Sequence, residues 1–249
     1  MTPPIELSAT RRIPLCRLIR VELRKLRTTP STKWVLLSIV ATTVTSVVIA
    51  AVSANRADRT FVNHLAATAV VQGLLLAVLG VLMVTGEWTR HTAAMTFTQV
   101  PARGRVALAK LVTALAVGAV VISLGAGVAA LASRLAGSDD PWTDSSLGTL
   151  GYFTVRQLSG LFQGVALGLL FLNTALGVLS CFALPTALTV MTSLPVTPPW
   201  FDLMAAQQAV WTSGDLGMPH WTDLAIDAAV CVALPFVVGL VRLLRTEVT

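Results

Sequence analysis

The residues best suited to chemistry are few and stand far apart. Ser159 lies within Gln157-Leu158-Ser159-Gly160, but no histidine stands in the apolar stretch around it, and a serine hydroxyl without an adjacent base is a weak nucleophile. His91 is a lone imidazole in a polar segment, and without a second partner residue it reads as a solvated side chain rather than a base. No GxxxxGK[ST] run occurs, so the backbone cradle and lysine that hold nucleotide phosphates are missing; HExxH, GxSxG and a carboxylate cluster within an apolar block are missing too. Cys16, Cys181 and Cys231 form no CxxC and no pair in a polar loop, so neither a disulfide framework nor a metal site follows. The chain is expected not to be an enzyme and to bind no cofactor or metal of its own.

The elements that carry these groups are built for a solvent other than water. Hydrophobic residues make up 55% of the 249 and charged residues 12%, the latter about half of what a soluble domain carries, and the mean hydropathy is +0.77. The apolar residues fall in blocks of about 20, the length that crosses a hydrocarbon core. Spans are expected at about 34–52, 65–85, 106–131, 152–172, 175–194 and 224–244. The fourth and fifth come from one apolar run of 43 residues, Tyr152 to Leu194, which is twice a single crossing and must turn once, near Asn173-Thr174. Polar or mixed residues fill the chain up to Lys33, so the first block reads as a retained helix rather than a cleaved signal. The expected fold is all-α: one transmembrane domain over 1–249, a polytopic membrane protein with six transmembrane helices.

Net charge is +6, yet the cations sit beside apolar spans and form no basic, aromatic-interleaved surface, so nucleic acid is not expected as a partner. Their distribution sets topology instead. With the N-terminus inside, 14 of the 18 lysines and arginines fall on the cytoplasmic side, as the positive-inside rule requires. Both termini are then cytoplasmic in a multi-pass protein of the cell (plasma) membrane. The tryptophans agree: Trp34 and Trp88 fall at the inner interface, and Trp142, Trp200, Trp211 and Trp221 in or beside outer loops.

Four segments invite a functional reading. Over 14–30, Leu15, Leu18, Ile19, Leu23 and Leu26 recur at helical spacing while Arg17, Arg20, Arg24, Lys25 and Arg27 take other positions. This is an amphipathic interfacial helix, expected to lay its leucines in the acyl boundary and its cations near anionic lipid, with Trp34 as a further anchor. The connection between spans two and three is long for antiparallel helices. Its stretch 87–99 lacks proline and glycine, so a short helix is expected there, ended by Pro101. In span four, Gly160, Gly164 and Gly168 repeat every fourth residue with Gln163 among them; small residues let helices approach closely, and a mid-span glutamine needs a partner or a wet path. The segment 195–222 has four prolines and three tryptophans and is too broken to span, so an outer re-entrant or interfacial segment is expected.

Across nearly its whole length the chain resembles the transmembrane (permease) subunit of type II ABC exporters, the ABC-2-type transporter family. The resemblance rests on an acidic residue just after span two, a threonine about five residues on, Pro-x-Arg, and a lysine opening span three; Glu87, Thr92, Pro101, Arg103 and Lys110 match it. Glu22-Leu23-Arg24-Lys25-Leu26 and the Arg-Thr-Glu tail also look like that family. Asn173 departs from it, since many members carry arginine at that inner turn. The resemblance implies that 87–99 is a cytoplasmic coupling helix seated in a separate ABC ATP-binding subunit, with Glu87, Trp88, Arg90, His91, Thr92, Arg103 and Lys110 at the contact. It implies ATP and Mg on that partner chain, a homo- or heterodimer of permeases in the lipid bilayer, and a re-entrant cap at 195–222. Two other classes stay open from the residues alone: a secondary transporter without an ATPase partner, and a non-transporting membrane scaffold or immunity protein.

Overall fold

In the computed structural model the described residues are 14–89, 103–137, 142, 146–192, 225 and 228–245. Nearly all of them are helical, with no strand among them. In chain order the helices are α1 (Leu15–Thr28), α2 (Pro30–Ser53), a 3-10 turn (Arg56–Asp58), α3 (Phe61–Thr89), α4 (Arg103–Leu135), α5 (Ser146–Phe171), α6 (Thr174–Thr192), a π-helical turn (Ala228–Ala233) and α7 (Leu234–Arg245).

Three stretches are long and apolar enough to cross a membrane: Pro30–Ser53, Phe61–Gly86 and Gly104–Leu135. Thr174–Ala187 and Ala228–Arg242 are shorter apolar helices. The chain is therefore a membrane-embedded helical protein by the length and composition of its helices. The expected segment 195–222 and most of 87–99 lie outside the described residues. Helix α3 continues through Gly86 to Thr89, since a single interior glycine costs a helix only about 1 kcal/mol.

Local chemistry explains the boundaries. Pro30 occupies the first position of α2, where its missing N–H is not needed and its fixed φ suits a helix start, while Thr29 before it is extended, with ψ 118°. That one extended residue separates α1 from α2. Between α5 and α6 the chain turns at Leu172, which takes a left-handed φ of 51°, and Asn173 then caps α6 by accepting the Leu176 N–H at 3.2 Å. Pro235, near the start of α7, cannot donate to the carbonyl four residues back, and the π-helical turn Ala228–Ala233 stands immediately before that region.

Helix α3 is the hub. Of its apolar window 56% is buried, against 17% for α2, and its most extensive packing is with α5. The core runs along it through Leu65, Leu76, Leu79 and Met83, and is completed by Ile39, Ala114, Phe153, Leu161 and Val165 from α2, α4 and α5. At the end away from α1, Arg59 donates to the carbonyls of Ala54 (3.1 Å) and Ala136 (2.9 Å), joining the α2–α3 turn to the end of α4. Phe61 and Trp142 stack at 4.9 Å beside it.

Candidate functional site

Two places gather polar side chains inside this apolar bundle. The first is the junction of α1 with α3 and α4. Helix α1 turns Glu22 and Leu26 inward, with Leu15, Leu18 and Lys25 partly covered, so its apolar side packs on the bundle rather than in lipid. The reason is electrostatic as well as apolar. Glu22 stands in the middle of that side, and its carboxylate accepts from Lys110 Nζ at 3.0 Å and from Lys25 Nζ at 2.7 Å. The Glu22 and Lys110 side chains are only 9% and 12% exposed, so each charge relies on the other in place of water. Lys110 also donates to the Met83 carbonyl at 3.2 Å. One ammonium thus joins α1, α3 and α4 beside both flanks of the connection 90–102.

The residues assigned to partner coupling distribute unevenly around this junction. Glu87 and Trp88 lie in the last turn of α3 and Arg103 opens α4; Arg90, His91 and Thr92 lie outside the described residues. Lys110 points into the bundle. Of the interfacial set, Arg17, Arg20, Arg24 and Arg27 are exposed, and Trp34 is 68% exposed on the outward face of α2.

The second place is the seam between α3 and α5. Gly160, Gly164 and Gly168 all face α3: a Cβ at Gly164 would overlap the Ala77 carbonyl oxygen, and one at Gly160 would come within 3.0 Å of the Gly73 carbonyl oxygen. From the other side, a Cβ at Gly80 would overlap the Leu161 carbonyl oxygen. The two backbones are in contact, the arrangement that small residues at spacing four permit.

Above this contact runs a chain of buried amides. Gln157 of α5 donates to the Ala69 carbonyl and to Gln72 Oε1, each at 3.2 Å, and Gln72 of α3 donates to the Val121 carbonyl of α4 at 2.9 Å. Three helices are joined by neutral groups, both glutamines being at most 1% exposed. Two turns nearer the start of α3, His64 Nδ1 lies 2.8 Å from the Thr60 carbonyl and 3.1 Å from Ser133 Oγ. Since a carbonyl only accepts, Nδ1 carries the proton. Ser133 Oγ donates to the Ala129 carbonyl at 2.8 Å. Among the described residues, His64 Nε2, Gln157 Oε1 and Gln163 Nε2 are buried without a hydrogen-bond partner. Gln163 is thus 7% exposed, with its amide nitrogen unsatisfied.

At the α5–α6 turn, Thr85 and Thr174 share a hydroxyl hydrogen bond of 2.7 Å, and Arg242 of α7 donates to the Leu170 carbonyl. A cation thus reaches the end of α5 from a helix 72 positions further along the chain.

Sequence reasoning passed over Glu22, Gln72, Gln157 and His64 as a set. A signal was present: Glu22 is the one acid of α1 and sits four residues from both Leu18 and Leu26 on the apolar stripe, and Gln72 is the lone amide of an otherwise apolar stretch. Comparison with protein-family models, with curated proteins and with solved structures finds no match.

Proposed function

We propose that the chain is the membrane-spanning subunit of an ATP-driven ABC exporter: a six-span permease with cytoplasmic termini, paired with a second permease and with a separate ATP-binding subunit. What supports this reading, beside the motif around Glu87 to Lys110, is the Lys110 linkage to Glu22 and to the Met83 carbonyl. A partner pressing on the 90–102 connection would act on α3 and α4 at a point where they are pinned to each other and to α1, so the stroke would move a block rather than bend a loop. Nucleotide chemistry belongs to the partner, which supplies ATP and Mg. Transport would then follow from rocking of helical blocks, in which the α3–α5 seam moves as one body.

The test is isolation of the protein from its native membrane under mild detergent, followed by photolabelling of the complex with an azido-ATP analogue. A labelled partner that is lost on Glu87→Ala, with the permease still folded, is the expected result. A monodisperse protein that carries no ATP-binding chain under any solubilisation condition would overturn the reading. Among the alternatives it would leave the secondary transporter and the scaffold.

A further inference from the structure

The way α1 docks decides what its other side meets. Arg17, Arg20, Arg24 and Arg27 follow one another at intervals of three, four and three residues, which places them in one stripe along the helix. That stripe lies opposite the Leu15–Leu18–Glu22–Leu26 side held by the bundle. All four are exposed, and none of their guanidinium groups has a hydrogen-bond or ion-pair partner among the described residues. Glu22, the only acid in the helix, is turned away toward Lys25 and Lys110. The outer face of α1 therefore carries four positive charges along about 15 Å of helix, with no counter-charge on them among the described residues.

The depth of that face is set by what Glu22 touches. Lys110 and Met83 lie within Gly104–Leu135 and Phe61–Gly86, the stretches apolar enough to cross the membrane. Helix α1 is consequently packed on the flank of the bundle, at the margin of the apolar layer. A face turned sideways there meets lipid headgroups. Exposed Val21 (45%) and Leu23 (38%) border the stripe on either side, as suits the boundary between acyl chains and headgroups. Guanidinium groups are planar forks that pair bidentately with phosphate oxygens.

We propose that the Arg17–Arg20–Arg24–Arg27 face of α1 is a binding site for the phosphates of anionic phospholipids. The site holds lipid through charge, because the Leu15, Leu18 and Leu26 side of the helix is turned to the bundle. It requires only that the helices span a membrane, and so stands apart from the exporter reading.

The experiment uses the full-length protein in phosphatidylcholine nanodiscs containing phosphatidylglycerol, released into the mass spectrometer to count retained lipid. Wild-type protein should retain phosphatidylglycerol in preference to phosphatidylcholine, and lose that preference as salt is raised. The combined Arg17→Gln, Arg20→Gln, Arg24→Gln and Arg27→Gln variant should bind phosphatidylglycerol on the order of a thousandfold more weakly, with unchanged thermal unfolding because all four side chains are exposed. If the combined variant does not fold, Arg20→Gln and Arg24→Gln singly should each reduce retention several-fold. Equal retention of the two lipids by wild type, or undiminished preference in the variants, would overturn the proposal. So would a variant that keeps its lipid but loses an acidic protein partner, since the stripe would then be a protein interface.

Discussion

The α3–α5 seam and the α1–α4 junction join helices by opposite means. At the seam, glycines bring two backbones together and neutral amides supply polar links. At the junction a carboxylate bridges two ammonium groups. Contact of the first kind depends on shape, falls off within an ångström or so of separation, and has no competitor in the membrane. Contact of the second kind reaches further; its Glu22–Lys110 part is nearly buried and little screened, while its Lys25 arm is exposed enough for phosphates and salt to compete. The seam is thus suited to a permanent body, and the junction to an attachment whose strength depends on its surroundings.

The sharpest way to break this contrast is to put a side chain in the seam. Gly164→Val must force Ala77 away, and a loss of about 3 kcal/mol is expected, read as a large fall in unfolding temperature in detergent; an unchanged Tm would mean that the backbones are not in contact. Next comes Glu22→Ala, which strands the nearly buried Lys110 and should cost about 2 kcal/mol after discounting for its residual exposure. Here the location matters more than the size: hydrogen exchange should speed up in α1 while α3 and α5 keep their protection. Glu22→Leu combined with Lys110→Met should restore much of that protection, because apolar packing replaces a buried ion pair well.

Smaller effects sharpen the picture. Gln157→Leu removes a link to both Gln72 and the Ala69 carbonyl, and about 1 kcal/mol of stability should go with it, visible in chemical unfolding within a lipid-like detergent. A loss much above that would mean the amide chain, not the glycines, holds the seam. Gly151 is the control: a Cβ there meets nothing within 4 Å, so Gly151→Ala should raise stability by about 0.5 kcal/mol through helix propensity alone.

Several features were legible from residue types one at a time. The blocks at 34–52, 65–85 and 106–131 fall within α2, α3 and α4, and the turn expected near Asn173 lies one residue from the left-handed Leu172. Helix α5 was harder to read: it starts at Ser146, well before the expected 152. Ser146, Thr149 and Gln157 are buried there, and a hydropathy reading treats buried polar residues as though they faced water.

What the sequence determined by itself follows from averages along the chain: a lipid-soluble composition, helices of spanning length, breaks at proline and asparagine, and a basic amphipathic helix ahead of the first span. Which surface that helix turns to the bundle depended on a pairing between Glu22 and Lys110, 88 positions apart. The same holds for Gln72 with Gln157, for Gly164 with Ala77, and for Arg242 with the end of α5. Hydropathy belongs to a residue, whereas packing and ion pairing belong to two residues at a distance, and only the folded bundle assigns the partners.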